Sequence, residues 1–472
     1  MKKLNNILYI SLSTVFLSFS PIEKAYSQTK ISSLLGSHMV LQQNTEVSIW
    51  GNDKPNTKIT ITSSWGQKSI TTTNANGEWR TSIKTTKAGG PYTLNILGSE
   101  KISLEDILLG EVWLCSGQSN MEMPLKGFAG QPIQNAQELI TNSTNTNLRL
   151  FHVKRNTSKT PLFDLVGTWK EATPLNVMDF SAVAYLYGKI LQEKLNVPIG
   201  IICSSVGGTR VEAWTNNKTL KESDFDFSSI KNTDEITVNS PSVLFNAMIN
   251  PLTPFNIKGV IWYQGESNRN NATQYQKLFM AMINSWRKEW GNENMPFYFT
   301  QIAPFEYNPS VNAAFLREAQ LRTLQNTKNT GMAVTLDIGE KTCIHPAKKI
   351  EVAQRLSYWA LAKTYGINGI PYSGPIYKSM KVTDGKIELD FEYAPNGISN
   401  FGKELKYFTI AGEDQIFYPA KAELERGKLK VSSQQVAKPV AVRYAWENFV
   451  EGNIFNVFGL PASSFRTDNW DN

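Results

Sequence analysis

Acyl transfer needs a hydroxyl nucleophile, a base within reach of it and donors for an oxyanion. The chain offers few places for the base, because it contains only His38, His152 and His345. Ser119 lies in Ser116-Gly117-Gln118-Ser119-Asn120-Met121, directly after the apolar run 107–115. A tight Gly-x-Ser turn at that point can lift the hydroxyl above a sheet and leave the Ser119 N–H facing an oxyanion. Gly207 and Gly208 follow a second apolar run; lacking a Cβ, they allow another backbone N–H to come close. Gln264 or Asn268, after a third run, can supply a side-chain amide, and Glu266 between them is a candidate catalytic carboxylate. His345 precedes Pro346, which suits the first turn of a helix and would pin the imidazole at its start. His38 falls in a strand-rich region and His152 in an apolar-basic segment, so both are poorer bases.

Each of these residues also has a plainer role. Serine is usually a turn or cap residue, His345 can cap a helix, and Gly207-Gly208 can be a turn. Glu266 and Asn268 can cap the helix after them. What favours chemistry is position: in an open parallel sheet, ligands bind at the carboxyl ends of the strands, and that is where these residues fall.

The elements that must hold them follow from periodicity. Runs at 107–115, 198–203, 259–264, 296–302 and 332–337 read as strands buried on both faces. Helical patterns at 182–196, at 275–286 with Gly291 as its stop, at 314–325 and at 346–365 alternate with them. Strand–helix alternation predicts a doubly wound parallel α/β sheet. Residues 28–105 are instead short β-branched segments (45–51, 58–62, 68–73, 92–97) separated by turns such as Asn76-Gly77, as in a small β-sandwich. The β pattern returns over 370–472, at 378–383, 386–391, 407–411, 428–431 and 440–444. The expected organisation is thus a leader over 1–27, a β-sandwich over 28–105, an α/β domain over 106–369 and a β-rich region over 370–472.

Residues 1–27 carry Lys2 and Lys3, an apolar stretch over 7–19 too short to span a bilayer, and Ala25-Tyr26-Ser27 before Gln28. This is the pattern of a signal peptide cleaved before Gln28, hence of an exported, periplasmic or secreted protein with no membrane partner. Three lysines and one glutamate lie in that segment, so the net charge of +7 becomes +5 for the mature chain. No Lys/Arg stripe accompanies it, which argues against nucleic acid. Cys115, Cys203 and Cys343 are too few for a disulfide framework and read as buried free thiols, with one disulfide among them as the alternative. No Cys/His spacing suits a metal, and the chemistry requires no metal or cofactor.

At these same residues the chain resembles the sialate O-acetylesterase family of the SGNH/GDSL hydrolase superfamily. Gly110-Glu111-Val112-Trp113-Leu114-Cys115-Ser116-Gly117-Gln118-Ser119-Asn120-Met121 is similar to its nucleophile block. Ser205-Val206-Gly207-Gly208-Thr209 and Trp262-Tyr263-Gln264-Gly265-Glu266-Ser267-Asn268 are similar to the second and third. Ile344-His345-Pro346 with Lys349 resembles the histidine block, and Arg443-Tyr444-Ala445-Trp446 with 459–466 the carboxyl end. The resemblance spans nearly the whole mature chain in order. It implies a flavodoxin-like catalytic domain and hydrolysis of O-acetyl esters, typically on the glycerol tail of sialic acid, with Ser119 as nucleophile and His345 as base. Relatives often carry an aspartate two or three residues before that histidine, where this chain has Thr342 and Cys343. The group that orients His345 then falls to Glu266, Asp337, Glu340 or a backbone carbonyl, or to none in a Ser-His dyad. Arg210, just past the second block, is a candidate for a sialate carboxylate as well as for a surface ion pair. Two rivals stand beside the 9-O-acetyl sialate reading: an acetyl-xylan or other polysaccharide esterase of the same fold, and a non-catalytic carbohydrate-binding protein.

Overall fold

A computed structural model describes residues 28–223 and 235–470; the expected leader over 1–27 lies outside them. Its centre is a sheet of seven strands: β1 (Lys101–Gly117), β2 (Asn145–His152), β3 (Trp169–Ala172), β4 (Ile199–Ser205), β5 (Gly259–Tyr263), β6 (Phe297–Thr300) and β7 (Thr330–Ala333). Their spatial order is β3-β2-β4-β1-β5-β6-β7. All neighbours are parallel except β3, which runs antiparallel to β2 at the edge. The five strands expected from the apolar runs are β1, β4, β5, β6 and β7, in the flavodoxin-like order. The sequence reading did not place β2 and β3 in the sheet: a strand near the edge, of mixed apolar and polar residues, lacks the continuous apolar run that marks a strand buried on both faces.

Alternation along the strands feeds two separate cores. Trp113, Cys115, Ile201, Cys203, Ile261 and Tyr263 face helix α2 (Ala182–Leu195) and the later helix Lys349–Trp359. Val112, Leu114, Ile202, Val260 and Trp262 lie in the other core, with helices α3 (Ala272–Glu289) and α4 (Ala314–Asn326). A period of two therefore gives each β1 neighbour a different face, and both faces are covered by helices, as a parallel sheet demands. The helix over Lys349–Trp359, α5, starts at Lys349 and not at Pro346. Proline disfavours helical geometry in the residue before it. The Ala347 N–H is given to Glu340 Oε1 (2.7 Å), and the Ala347 carbonyl accepts from Gln134 N (3.0 Å). His345 therefore sits in the connection before the helix, four residues ahead of its start, and does not cap it.

The long strand β1 joins two regions. Residues 101–109 pair antiparallel with Gly89–Leu97, while residues 111–117 pair with β4 in the parallel sheet. The position expected as a boundary, 105/106, lies inside this strand. Glu46–Asn52 pairs with Glu78–Lys84, a strand the sequence reading passed over, and Lys58–Ser63 pairs with Lys68–Thr72 and Gly89–Leu97. The carboxyl-terminal region forms two four-stranded antiparallel sheets, one including Ile376–Thr383 and Lys386–Glu392, the other Phe408–Ala411 and Ala441–Tyr444. Among the described residues no helix is long and apolar enough to cross a membrane. All three cysteines are free; Cys115 and Cys203 are buried and Cys343 half-buried.

Candidate active site

The nucleophile turn is set by what ends β1. Gly117 has φ +139°, and a Cβ there would fall 2.2 Å from the Tyr263 carbonyl oxygen, so only glycine lets β1 pass this close to β5. The chain then enters a one-turn helix, α1, over Ser119–Glu122. Gln118 anchors it: its N–H donates to Tyr263 O (2.9 Å), and its Oε1 accepts from Gly265 N (3.2 Å). The Ser119 N–H, at the start of a helical turn, has no intrahelical partner.

Ser119 Oγ lies 2.8 Å from His345 Nε2. The other ring nitrogen, Nδ1, lies 2.6 Å from Gln131 Oε1. Because an amide oxygen only accepts, Nδ1 carries the proton and Nε2 presents its lone pair to the serine hydroxyl. Gln131 comes from a tight turn closed by Phe128 N–Gln131 O (3.1 Å) and Gln131 N–Phe128 O (3.0 Å). The same turn lays the Phe128 ring edge against the imidazole, centroids 5.3 Å apart. Burial, with Lys349 nearby, pushes the His345 pKa down to about 4.

None of the groups expected to orient His345 does so. Asp337 is held by Arg355 through two contacts of 2.7 Å. Glu340 accepts from the Ala347 N–H. Glu266, fully buried, accepts from Asn120 Nδ2 (2.7 Å), and burial raises its pKa. The role falls to a neutral amide from a loop that no sequence pattern marked.

Asn120 is a hub beside the nucleophile. Its amide donates to Glu266 Oε1 and to the Ile344 carbonyl (3.0 Å), and its Oδ1 accepts from the buried Lys349 ammonium (2.5 Å). The Ile344 contact ties the nucleophile turn to the residue before His345. Burial, against attraction from Glu266, lowers the Lys349 pKa to about 7. Gln118, Asn120 and Lys349 stood inside the quoted blocks without an assigned role; the signal for Gln118 and Asn120 was a polar side chain at the end of a buried strand.

The expected oxyanion donors separate. The Gly207 N–H is given to Glu122 Oε2 (2.6 Å). Gln264 Nε2 donates to Thr209 O (3.0 Å) and Asn268 Oδ1 (2.7 Å), and Asn268 Nδ2 to the Glu212 carboxylate (3.1 and 2.9 Å). These side chains build the loop after β4 and hold it against the third block. Of the donors considered, the N–H groups of Ser119 and Gly208 have no hydrogen-bond partner among the described residues. Gly207 packs directly on the nucleophile: a Cβ there would meet Ser119 Cβ at 3.3 Å. Arg210 is exposed, its backbone N–H bound to Asn239 Oδ1 (2.8 Å). His38 is paired with Asp106 (2.7 Å) in the amino-terminal part.

A tight turn presenting a hydroxyl, a neutral imidazole within hydrogen-bond distance and an unpartnered Ser119 N–H is equipped for acyl transfer. With the flavodoxin-like sheet it defines a class, the ester hydrolases of that fold. The family model described as carbohydrate esterase, sialic acid-specific acetylesterase, matches residues 109–358. Sialate O-acetylesterase of Homo sapiens is 33% identical over 403 residues, covering 77% of this chain and 76% of the human protein. That of Mus musculus is 29% identical over 491 residues, covering 88% of this chain and 89% of its own. A solved carbohydrate acetylesterase from Xanthomonas citri superposes with a TM-score of 0.86 at 37% identity, over 94% of this chain and 100% of that one. The chain belongs to the sialic acid-specific acetylesterase family of carbohydrate esterases, and it is an esterase.

Proposed function

We propose that this esterase, exported across a membrane, removes O-acetyl groups from sialic acid, at the 9-position above all, through an acetyl-enzyme on Ser119. The observation that carries the mechanism is the 2.8 Å contact between Ser119 Oγ and His345 Nε2, with Gln131 fixing the tautomer. His345 Nε2 takes the serine proton as Oγ attacks the acetyl carbonyl. Negative charge then develops on the carbonyl oxygen, where the Ser119 and Gly208 N–H groups are available to receive it. The imidazolium returns its proton to the departing sugar oxygen. Water, deprotonated by the same nitrogen, cleaves the acetyl-enzyme, releases acetate and restores the serine. The sialate reading is supported by the family and by the human and mouse relatives. Export is supported by the basic-then-apolar pattern of residues 1–27.

The test is acetate release from 9-O-acetylated sialic acid and from acetyl-xylan, wild type beside Ser119→Ala. Release from the sialic acid that disappears in the variant supports the proposal; release from xylan alone replaces the substrate with a neutral polysaccharide.

A further inference from the structure

A cavity of about 520 Å³ opens at the carboxyl end of β2, within the usual range for small-ligand sites. Because β2, β4 and β1 are parallel neighbours, their carboxyl ends share one edge of the sheet with the nucleophile turn. Only β4 separates β2 from β1, so the residues after β2 sit two strand spacings, about 10 Å, from those after β1. The two places are also joined by contact. Glu122, in the cavity wall, accepts from the Gly207 N–H (2.6 Å), and Gly207 packs on Ser119.

Three cations converge on this hollow from different elements: Lys154 and Arg155 follow β2, and Lys170 stands on β3. None of the three is in an ion pair among the described residues. His152 stands beside them, its pKa lowered by burial and by Lys170. Two acids line the same wall: Asp179 pairs with Lys126, and Glu122 holds the Gly207 N–H and is also drawn to the charge of Arg155, which leaves the hollow with three cations against one acid not paired outside it. Leu150 and Phe180 supply apolar surface. Solvated surface charges usually alternate in sign; three like charges turned into one concavity raise its potential and favour an anion there. Arg210, the cation expected from sequence, does not line this cavity.

We propose that this cavity is the carboxylate subsite for an acidic sugar, with Arg155, Lys154 and Lys170 holding the carboxylate while the ester-bearing end reaches past Glu122 and Gly207 to Ser119. Arg155 can meet the carboxylate through two parallel N–H groups, and the lysines add point charges. Val166, exposed at the cavity, takes the less polar face of the ring. A sugar acid with a glycerol tail spans the required distance from its carboxylate to its terminal ester, whereas a neutral acetylated polysaccharide gains nothing from the cations. The inference rests on the acetylesterase reading and states how that site would select its substrate.

The experiment compares 9-O-acetyl sialic acid with its methyl ester, whose carboxyl is uncharged, on the full chain and on the double variant Arg155→Gln/Lys170→Gln. The wild type should prefer the acid by at least roughly tenfold in kcat/KM, and the variant should lose most of that preference. No preference in the wild type, or an undiminished one in the variant, overturns the subsite. If the wild type releases acetate from neither compound, the esterase reading fails separately, and calorimetry with free sialic acid decides the subsite. Binding to Ser119→Ala that is lost when Arg155→Gln/Lys170→Gln is added supports it; absent binding, or binding equal in the two proteins, overturns it.

Discussion

His345 is held by an amide and not by a carboxylate. A neutral acceptor at Nδ1 fixes the tautomer but gives the developing imidazolium no compensating charge, and burial and Lys349 oppose that charge further. The imidazole is therefore neutral, and able to accept the serine proton, at all pH values above about 4. We expect kcat/KM to be flat through the neutral range and to fall as pH drops through about 4, measured with a neutral acetyl ester. Lys349→Met removes a positive charge near the ring and should move that acid limb upward. The linkage has the matching sign: between 6.5 and about 4 the unfolded chain binds a proton that the folded one refuses, so this group lowers stability as pH falls through that window. Gln131→Ala should lower kcat on the order of 10²-fold by freeing the ring, whereas Gln131→Glu should retain activity and shift the acid limb to higher pH. An unchanged pH profile in Gln131→Glu would remove Gln131 from this role. Ser119 and His345 were legible in sequence because both stand at strand ends among few alternatives. Gln131 was not, since a loop glutamine has no spacing rule that aims it at a histidine 214 positions away.

At the level of elements, the apolar runs identified five of the strands and the helices between them, because burial on both faces leaves an unmistakable pattern. The edge strand β3 and its neighbour β2, which bring Lys170, Lys154 and Arg155 to the cavity, were illegible for the complementary reason: partly exposed strands mix residue types. The loops after β1, β4 and β5 could be picked out in the sequence, but which of their N–H groups are left without a partner could not. Whether a Gly207 or Asn268 N–H is free depends on whether Glu122 or Glu212 has claimed it, and those partners are distant in sequence. Gly207 illustrates how closely two elements are fitted. Its Cβ position is 2.9 Å from Glu122 Oε2 and 3.3 Å from Ser119 Cβ. Gly207→Ala should therefore displace the nucleophile turn and lower kcat roughly 10- to 100-fold while the protein stays folded. Wild-type turnover in this variant would show that the loop after β4 yields without disturbing Ser119.

Across the whole molecule, the carboxyl-terminal β region is bound to the catalytic sheet by buried charge and hydrogen bonds. Arg317 on α4 is fully buried and donates to Ala445 O (3.0 Å), Glu447 O (2.5 Å) and Ser464 Oγ (3.1 Å). Burial lowers its pKa to about 10, so it remains charged in the neutral range. Arg466 reaches back to both Glu318 oxygens at 3.0 Å. Arg317→Met strands several buried acceptors and should cost about 3 kcal/mol, seen as a lower denaturation midpoint and faster proteolysis within 370–470. Equal midpoints would mean that Arg317 does not hold the region. The three-part pattern β, α/β, β was visible in composition, but the continuity of β1 across two of those parts was not, because a strand that changes partners midway keeps one hydrophobic signature.

The central claim is that Ser119 carries the acyl group and His345 activates it. It is tested most directly by reacting the full chain with a fluorophosphonate, mapping the adduct by peptide mass, and following acetate release from 9-O-acetyl sialic acid in the same sample. The account predicts one adduct per chain, on Ser119, activity lost in proportion to labelling, and neither labelling nor release in Ser119→Ala. Full acetate release by Ser119→Ala, or an adduct on another residue that abolishes activity, would contradict it.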